Sequence, residues 1–479
     1  MDNLVVDLPA TTGTAPPQSP TLWATIREAI RGSHQDFTAV PVGRAVVLLA
    51  VPMVLEMLME SVFVVADIFF VGRLGADAIA TVGITESLMT TIYAVAIGMT
   101  IGATAVVARR VGEKNMDQAA RAAVQSIMLG LGVAVVVGSL GVLFGPQLLA
   151  AMGADEGVLK IGSTFPRVMV GGSGTVLLLF LINAVFRGAG DAALAMRVLW
   201  LANGINIVLG PCFIFGIGPF PELGVLGAAV GTTIGRGCGV LYQVYHLVRA
   251  DGRIVIRREH LAIDLHVMKA ILRISGTATF QNFVGTASWM GLVYILTSFG
   301  SDAVAGNTIG IRIIIFACLP AWGVSNAAAT LVGQNLGAGK PERAEAAALK
   351  AAWYNAICLG VVGIVFLAFA PQIVALFSTD PGVAAYAGRC LRIVAAGFPF
   401  YGFAYVMIAA FNGSGDTRTP TVINIACFWL WEIPLAWTLA HPAGLGPTGV
   451  FIAVAVAFTT MALVSTELFH RGHWKTRRL

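Results

Sequence analysis

Apolar runs of about 20 residues, each closed by a short polar stretch, recur along almost the whole chain, near residues 45–72, 83–108, 123–145, 164–187, 195–218, 224–248, 268–299, 303–333, 347–370, 389–411, 420–440 and 447–469. A helix of that length matches the hydrocarbon thickness of a bilayer. Twelve such runs exclude a soluble enzyme, and the composition agrees: 11% of the residues are charged and 57% hydrophobic, where an ordinary soluble domain carries about 25% charged residues. The expectation is an all-α polytopic membrane protein with twelve transmembrane helices.

Placement of charge orients it. The net charge is +5, which by itself implies no nucleic-acid partner, since membrane proteins collect Lys and Arg in their cytoplasmic loops. Of the 30 Lys and Arg, 23 fall in the two tails and the loops after even-numbered runs, and five in the other loops. Both termini are therefore expected in the cytoplasm of a bacterial-type plasma (inner) membrane. The six cysteines are scattered singly in apolar sequence without C-x-x-C spacing, a pattern of packing residues rather than of a metal site or a disulfide framework. Residues 1–40 read as a cytoplasmic tail. Within it Trp23, Ile26 and Ile30 recur at helical spacing beside Arg27 and Arg31, as in a short helix lying on a membrane surface or in a plainly solvated one.

Self-comparison divides the chain in two. Leu74-Gly75-Ala76-Asp77-Ala78 returns as Phe299-Gly300-Ser301-Asp302-Ala303, Phe186-Arg187-Gly188-Ala189-Gly190-Asp191 as Phe411-Asn412-Gly413-Ser414-Gly415-Asp416, and Val111-Gly112 as Leu336-Gly337, each displaced by 225 residues. Three matches in one register indicate a duplicated unit. The halves are expected at 41–249 and 267–470, joined by a cytoplasmic linker at 250–266 and followed by a basic tail at 471–479. Six runs per half make the repeats parallel, related by an axis along the membrane normal, with a cavity between them and alternating access by rocking of one half against the other.

Three carboxylates interrupt the first run. Around a helix axis Glu60 lies about 40° and Asp67 about 20° from Glu56, so they form one acidic stripe. Carboxylates in hydrocarbon are costly and face the protein interior or a water-filled cavity, where they take up cations or protons; each has the alternative of a hydrogen bond to a neighbouring helix. Pro52, in the same run, removes a backbone hydrogen bond and favours a bend, static or switching. Glu86 in the second run, with Arg312 near its repeat position, has the makings of a cross-lobe ion pair. Glu432 is the one acid well inside a run of the second half. Asn183 and Asn206 offer amide oxygens for a carboxyl group or Na⁺, or act as interhelical glue. Met53, Met57, Phe63, Gln281, Asn282 and Trp289 are further candidates for lining a substrate cavity, an adaptable surface where Met and aromatic residues are not simply packing.

Val51-Pro52-Met53, the run Ala66-Asp67-Ile68-Phe69-Phe70-Val71-Gly72-Arg73-Leu74-Gly75, the paired R-G-x-G-D and N-G-x-G-D turns and Asn206-Ile207-Val208-Leu209 together resemble the multidrug and toxic compound extrusion (MATE) family over residues 41–470. The resemblance implies two six-helix bundles in a V and export of cationic or amphipathic compounds against an inward flow of H⁺ or Na⁺. It points to the branch that binds its coupling ion in the amino-terminal lobe, with Asp67 fifteen residues after the bending Pro52 and Asn183 and Asn206 as accompanying amides. The carboxylate expected four residues after the second amide is Gly210, and Thr286 and the Tyr401-Gly402 region stand where the other branch has membrane acids. Proton coupling through Asp67 is favoured, with Na⁺ held by Asp67, Asn183 and Asn206 as the alternative. No cofactor is implied, and a monomer exchanging small organic cations or amphipathic drugs across the bilayer is expected. A lipid-linked precursor flippase would line its cavity with more Arg and Lys than Arg236 and Arg312, and an intramembrane enzyme would show a Ser/His pair or H-E-x-x-H motif that is missing here.

Overall fold

The computed structural model describes residues 21–152, 164–249 and 252–477, apart from the side chains of 76, 77 and 79. The first half of the expected tail, residues 1–20, lies outside the described residues. The described chain consists of helices and turns with no strand. A short helix α1 (Leu22–Arg31) precedes the first lobe, which comprises α2 (Val42–Gly72), α3 (Ala76–Gly112), α4 (Met116–Ala151), α5 (Phe165–Ala189), α6 (Ala192–Phe215) and α7 (Val225–Arg249). The second lobe comprises α8 (Leu265–Thr297), α9 (Ser301–Gly337), α10 (Pro341–Ala375), the pair α11 (Pro381–Ala396) and α12 (Phe398–Gly413) bent by 61° into one rod, α13 (Arg418–Ala440) and α14 (Pro447–His470).

Among the described residues ten helices are individually long and apolar enough to cross a membrane, and the α11/α12 pair makes an eleventh span. The twelfth rod, α8, has 33 residues but is less apolar, because Ser275, Gln281 and Ser288 are buried on its inner face. Helix starts follow local chemistry: the Asn115 side chain accepts the Gln118 amide at the head of α4, and Asp264 accepts the amides of His266 and Val267 at the head of α8, filling backbone donors that a first turn leaves open. The repeated turns close with Gly190 and Gly415 at φ +87° and +86°, a left-handed conformation that a side chain resists.

The 225-residue offset is a structural axis as well as a sequence one. α3 and α9 correspond end to end, Ala76 to Ser301 and Gly112 to Gly337. Their contacts are reciprocal. Gly98 is so close to α8 that a Cβ there would stand 2.7 Å from the Thr279 amide nitrogen, and Gly323 is as close to the Val54 amide nitrogen on α2; Gly112 abuts the Gln334 carbonyl while Gly337 abuts the Arg109 carbonyl. Each partner is its counterpart's repeat position, as twofold packing requires. Small residues let these backbones touch where no hydrophobic drive separates helix from lipid.

These contacts begin at the end of the molecule that carries most of the Lys and Arg, at Gly112 and Gly337, and extend about 21 Å along α3 and α9 to Gly98 and Gly323, where α3 packs on α8 and α9 on α2. The lobes are sealed together there. Towards the opposite end Glu86 on α3 and Arg312 on α9 are exposed and near enough for one charge to act on the other, and the space they border is the cleft.

Candidate cation site in the first lobe

Helix α2 carries Pro52 and then the acids, and it runs as one continuous helix through the proline. Pro52 has no amide to give the carbonyl of buried Leu48. The acid stripe then meets three different environments along one face. Glu56 is fully buried; it accepts a 2.7 Å hydrogen bond from the Arg187 guanidinium and a 3.0 Å bond from the Asn183 amide. Its second oxygen, Oε2, is buried without a partner among the described residues. One turn further on, Glu60 accepts from Asn203 at 2.9 Å and lies 3.6 Å from Arg236, its side chain 16% exposed. Asp67 is only half-buried and makes no hydrogen bond or ion pair among the described residues; the charges acting on it are Glu86 on α3 and Arg236 on α7.

The stripe therefore runs from a sealed ion pair to an unpaired carboxylate over about 16 Å of helix. Arg236 is its central cation. It comes from α7, is 3% exposed, donates to the Tyr93 hydroxyl at 3.3 Å, and its guanidinium lies 5.6 Å from the ring centres of both Phe63 and Phe180. Two aromatic faces and a carboxylate hold a guanidinium well in a poorly hydrated site. Counted as ionised, Glu56, Glu60, Asp67 and Glu86 outnumber Arg187 and Arg236, and with Glu56 and Glu60 paired the excess of negative charge falls on half-buried Asp67 and exposed Glu86.

The two amides paired with Asp67 in the sequence reading point elsewhere. The Asn183 oxygen accepts from Gln243 at 2.8 Å while its NH₂ group serves Glu56, and Asn206 donates to Thr232 at 2.8 Å. Both are buried among these partners and neither bonds Asp67. Glu86 and Arg312 form no ion pair here; they face one another across the cleft, close enough for the charge of Arg312 to be felt at Glu86.

Other sequence candidates spread out. Met53 is fully buried in the seam against Gly323, and Met57 is buried nearby. Phe63 joins the Arg236 cage. In the second lobe Gln281 is buried with its oxygen unpartnered among the described residues, Asn282 donates to the Ala278 carbonyl of its own helix, and Trp289 packs on the lobe's apolar core. Glu432 is 3% exposed at the end of a π-helical stretch, Ile425–Glu432, with no hydrogen-bond partner among the described residues. π-turns inside α-helices are frequent at functional sites.

Sequence reasoning missed Arg187, Asn203, Gln243, Thr232 and Tyr93. A signal for the first of them exists in the repeat. Glu56 corresponds to Gln281 and Arg187 to Asn412: both members of the pair are charged in one half and both are amides in the other.

Comparison with known proteins gives a consistent pattern. The MatE family profile matches residues 52–212 and 278–438, one stretch in each lobe. The chain is 27% identical over 435 residues to the probable multidrug resistance protein NorM of Thermotoga maritima, covering 91% of this chain and 93% of that protein. It is 26% identical over 435 residues to the FAD transporter of Shewanella oneidensis, covering 90% and 95% of the two chains. Among solved structures, an outward-facing multidrug resistance MATE family transporter of the MOP superfamily superposes with a TM-score of 0.85 at 26% identity, over 91% of this chain and 97% of that one.

Proposed function

This chain belongs to the MATE family, whose members are transporters rather than enzymes, and we propose that it exports organic cations or amphipathic drugs in exchange for H⁺, with Asp67 as the titrating group. The observation that carries the reading is the first-lobe acid stripe. Its deep end is neutralised by Arg187, its middle by Arg236, and its outer carboxylate, Asp67, is half-buried within the influence of Glu86 and has no hydrogen-bonding partner among the described residues. A carboxylate so placed takes up a proton or a cation, and an excess of acid in a cavity draws cationic substrates.

Proton rather than Na⁺ coupling is supported by the amides. A Na⁺ site needs several oxygens converging on one point; the Asn183 oxygen is taken up by Gln243, Asn206 donates its NH₂ group to Thr232, and neither amide bonds Asp67. The relative from Thermotoga maritima carries multidrug resistance in its name, and cationic drugs suit the charge of this site. With both termini in the cytoplasm the sealed basic end faces inward and the cleft faces outward, the state in which cargo is released. Protonation of Asp67 then removes a negative charge from the cleft, weakens the hold on a bound cation, and shifts the equilibrium between the two access states.

Reconstituted proteoliposomes test this. Uptake of a fluorescent organic cation is expected under an imposed pH gradient without Na⁺, and Asp67→Asn is expected to abolish it while leaving the protein folded. Uptake that requires Na⁺, or that survives in Asp67→Asn, overturns the reading.

A further inference from the structure

At the basic end of the second lobe, the start of α8, the turn between α12 and α13, and Arg477 enclose a cavity of about 370 Å³. Its cations are Lys269 and Arg273, one turn apart on α8, Arg418 at the head of α13, and Arg477. Arg477 is paired with Asp416 at 3.2 Å. Lys269, Arg273 and Arg418 have no ion-pair partner among the described residues, and all three are exposed to the cavity or its mouth.

The repeat indicates what such a place holds. Counted back by 225, Lys269 corresponds to Arg44, Ile274 to Leu49, and Arg418 to Ala193. In the first lobe that notch is filled by the chain itself: α1 packs there on α2 and α6. Ala29 is buried in the same cluster as Ala45, Leu49 and Ala192, Gly32 lies against Ala193, and the Glu28 carboxylate reaches Arg44 at 2.7 Å. So α1 brings an apolar plug and one anion. In the equivalent notch of the second lobe no helix packs as α1 does; the C-terminal tail reaches it with Arg477, bound to Asp416, Lys269 keeps the position of Arg44, and two further cations appear, Arg273 in place of Leu48 and Arg418 in place of Ala193.

We propose that this second-lobe notch binds a phosphate-bearing anion, supplied by a phospholipid headgroup or by a soluble phosphate compound, in the position that Glu28 of α1 takes in the first lobe. One carboxylate answers one cation. Three cations on the wall of one cavity, two of them guanidinium forks, match the several acceptor oxygens and higher charge of a phosphate group, and the cavity is of the size that encloses small ligands. Basic pockets between transmembrane helices at this level of the membrane are suited to anionic headgroups. Above the notch Leu272 and Phe280 are exposed on α8, giving acyl chains an apolar surface to lie against. The inference is independent of the coupling ion and of the direction of transport.

The test is a titration of the purified full-length protein in neutral detergent, read by native mass spectrometry. The probes are dioctanoyl phosphatidylglycerol, dioctanoyl phosphatidylcholine, glycerol 3-phosphate and inorganic phosphate. Phosphatidylglycerol is expected to bind at least about tenfold more tightly than phosphatidylcholine, given the worth of several surface cations to an anionic lipid. Competition by glycerol 3-phosphate or inorganic phosphate at similar concentrations identifies a soluble phosphate as the source; failure to compete identifies the lipid. In K269Q/R273Q/R418Q the preference for the anion should disappear, while R257Q/R258Q, which removes linker charge at the same end, should keep it. Unchanged preference in the triple variant, equal loss in the linker variant, or no preference in the wild type overturns the proposal.

Discussion

Glu56 and Arg187, 131 positions apart in sequence, meet at 2.7 Å in the interior of the first lobe with exposures of 0% and 7% for their side chains. The pair ties α2, which carries the whole acid stripe, to the end of α5. Breaking a buried ion pair by removing one partner strands a charge and costs about 3–5 kcal/mol, whereas replacing both partners is far milder.

Arg187→Gln is therefore expected to lower the melting temperature in detergent more than the double variant Glu56→Gln/Arg187→Gln, in which two amides take the places they already hold in the second half as Gln281 and Asn412. The reverse order would show that the pair contributes nothing specific to the packing of α2.

Arg236 occupies the centre of the stripe as a tethered cation. Arg236→Gln leaves Glu60 and Asp67 without it, so a free cation should take its place: Na⁺ is expected to raise the melting temperature of the variant by binding the folded state, and to leave the wild type unchanged. A wild type that responds to Na⁺ as strongly would refute the idea that Arg236 fills the site.

The seam at the basic end has to open if access alternates. Gly337→Val puts a side chain where the Arg109 carbonyl now lies, and overpacking of this kind costs about 1–3 kcal/mol. The closed seam should be depopulated accordingly. Spin labels at positions 114 and 340, in a cysteine-free background, should report a longer mean separation in the variant; an unchanged distance with unchanged stability would mean that the seam yields locally.

Helix α1 should loosen in acid. Burial opposes the charge on Glu28, but hydrogen bonds from Arg44, Ser33 and Gln35, together with the Arg44 charge, hold its carboxyl below the usual value of 4.5. Because the folded-state value is the lower one, the stabilisation is fully present above about 4.5 and fades as the pH falls through that lower value. The pair is partly exposed, so its worth is below about 1 kcal/mol. A mobility label at position 27 should remain immobilised from pH 7 to about 5 and loosen below that, and Glu28→Gln should loosen it at every pH.

Much of this was legible in the chain. Run length set the twelve rods, because a bilayer admits one thickness; the 225-residue offset set the two lobes and reappears in the reciprocal contacts of Gly112 and Gly337; helical geometry set Glu56, Glu60 and Asp67 on one face. What helical spacing left open was the partner of each acid. The resemblance pairs Asn183 with Asp67, but it stands beside Glu56, and the R-G-x-G-D motif places Arg187 in a turn although its side chain reaches back into the lobe. A long guanidinium side chain at a helix end places its charge several ångströms from its backbone position, a displacement that a count along the sequence does not contain.

The sequence by itself determined the membrane, the duplication and the acidic face, since each follows from local composition or from a repeat within one chain. Only the tertiary structure decided which acids are neutralised, which one stays open to the cleft and which notch α1 fills. Those outcomes depend on side chains brought together from helices more than a hundred residues apart, where the cost of an unpaired charge in a dry interior selects one arrangement over the others.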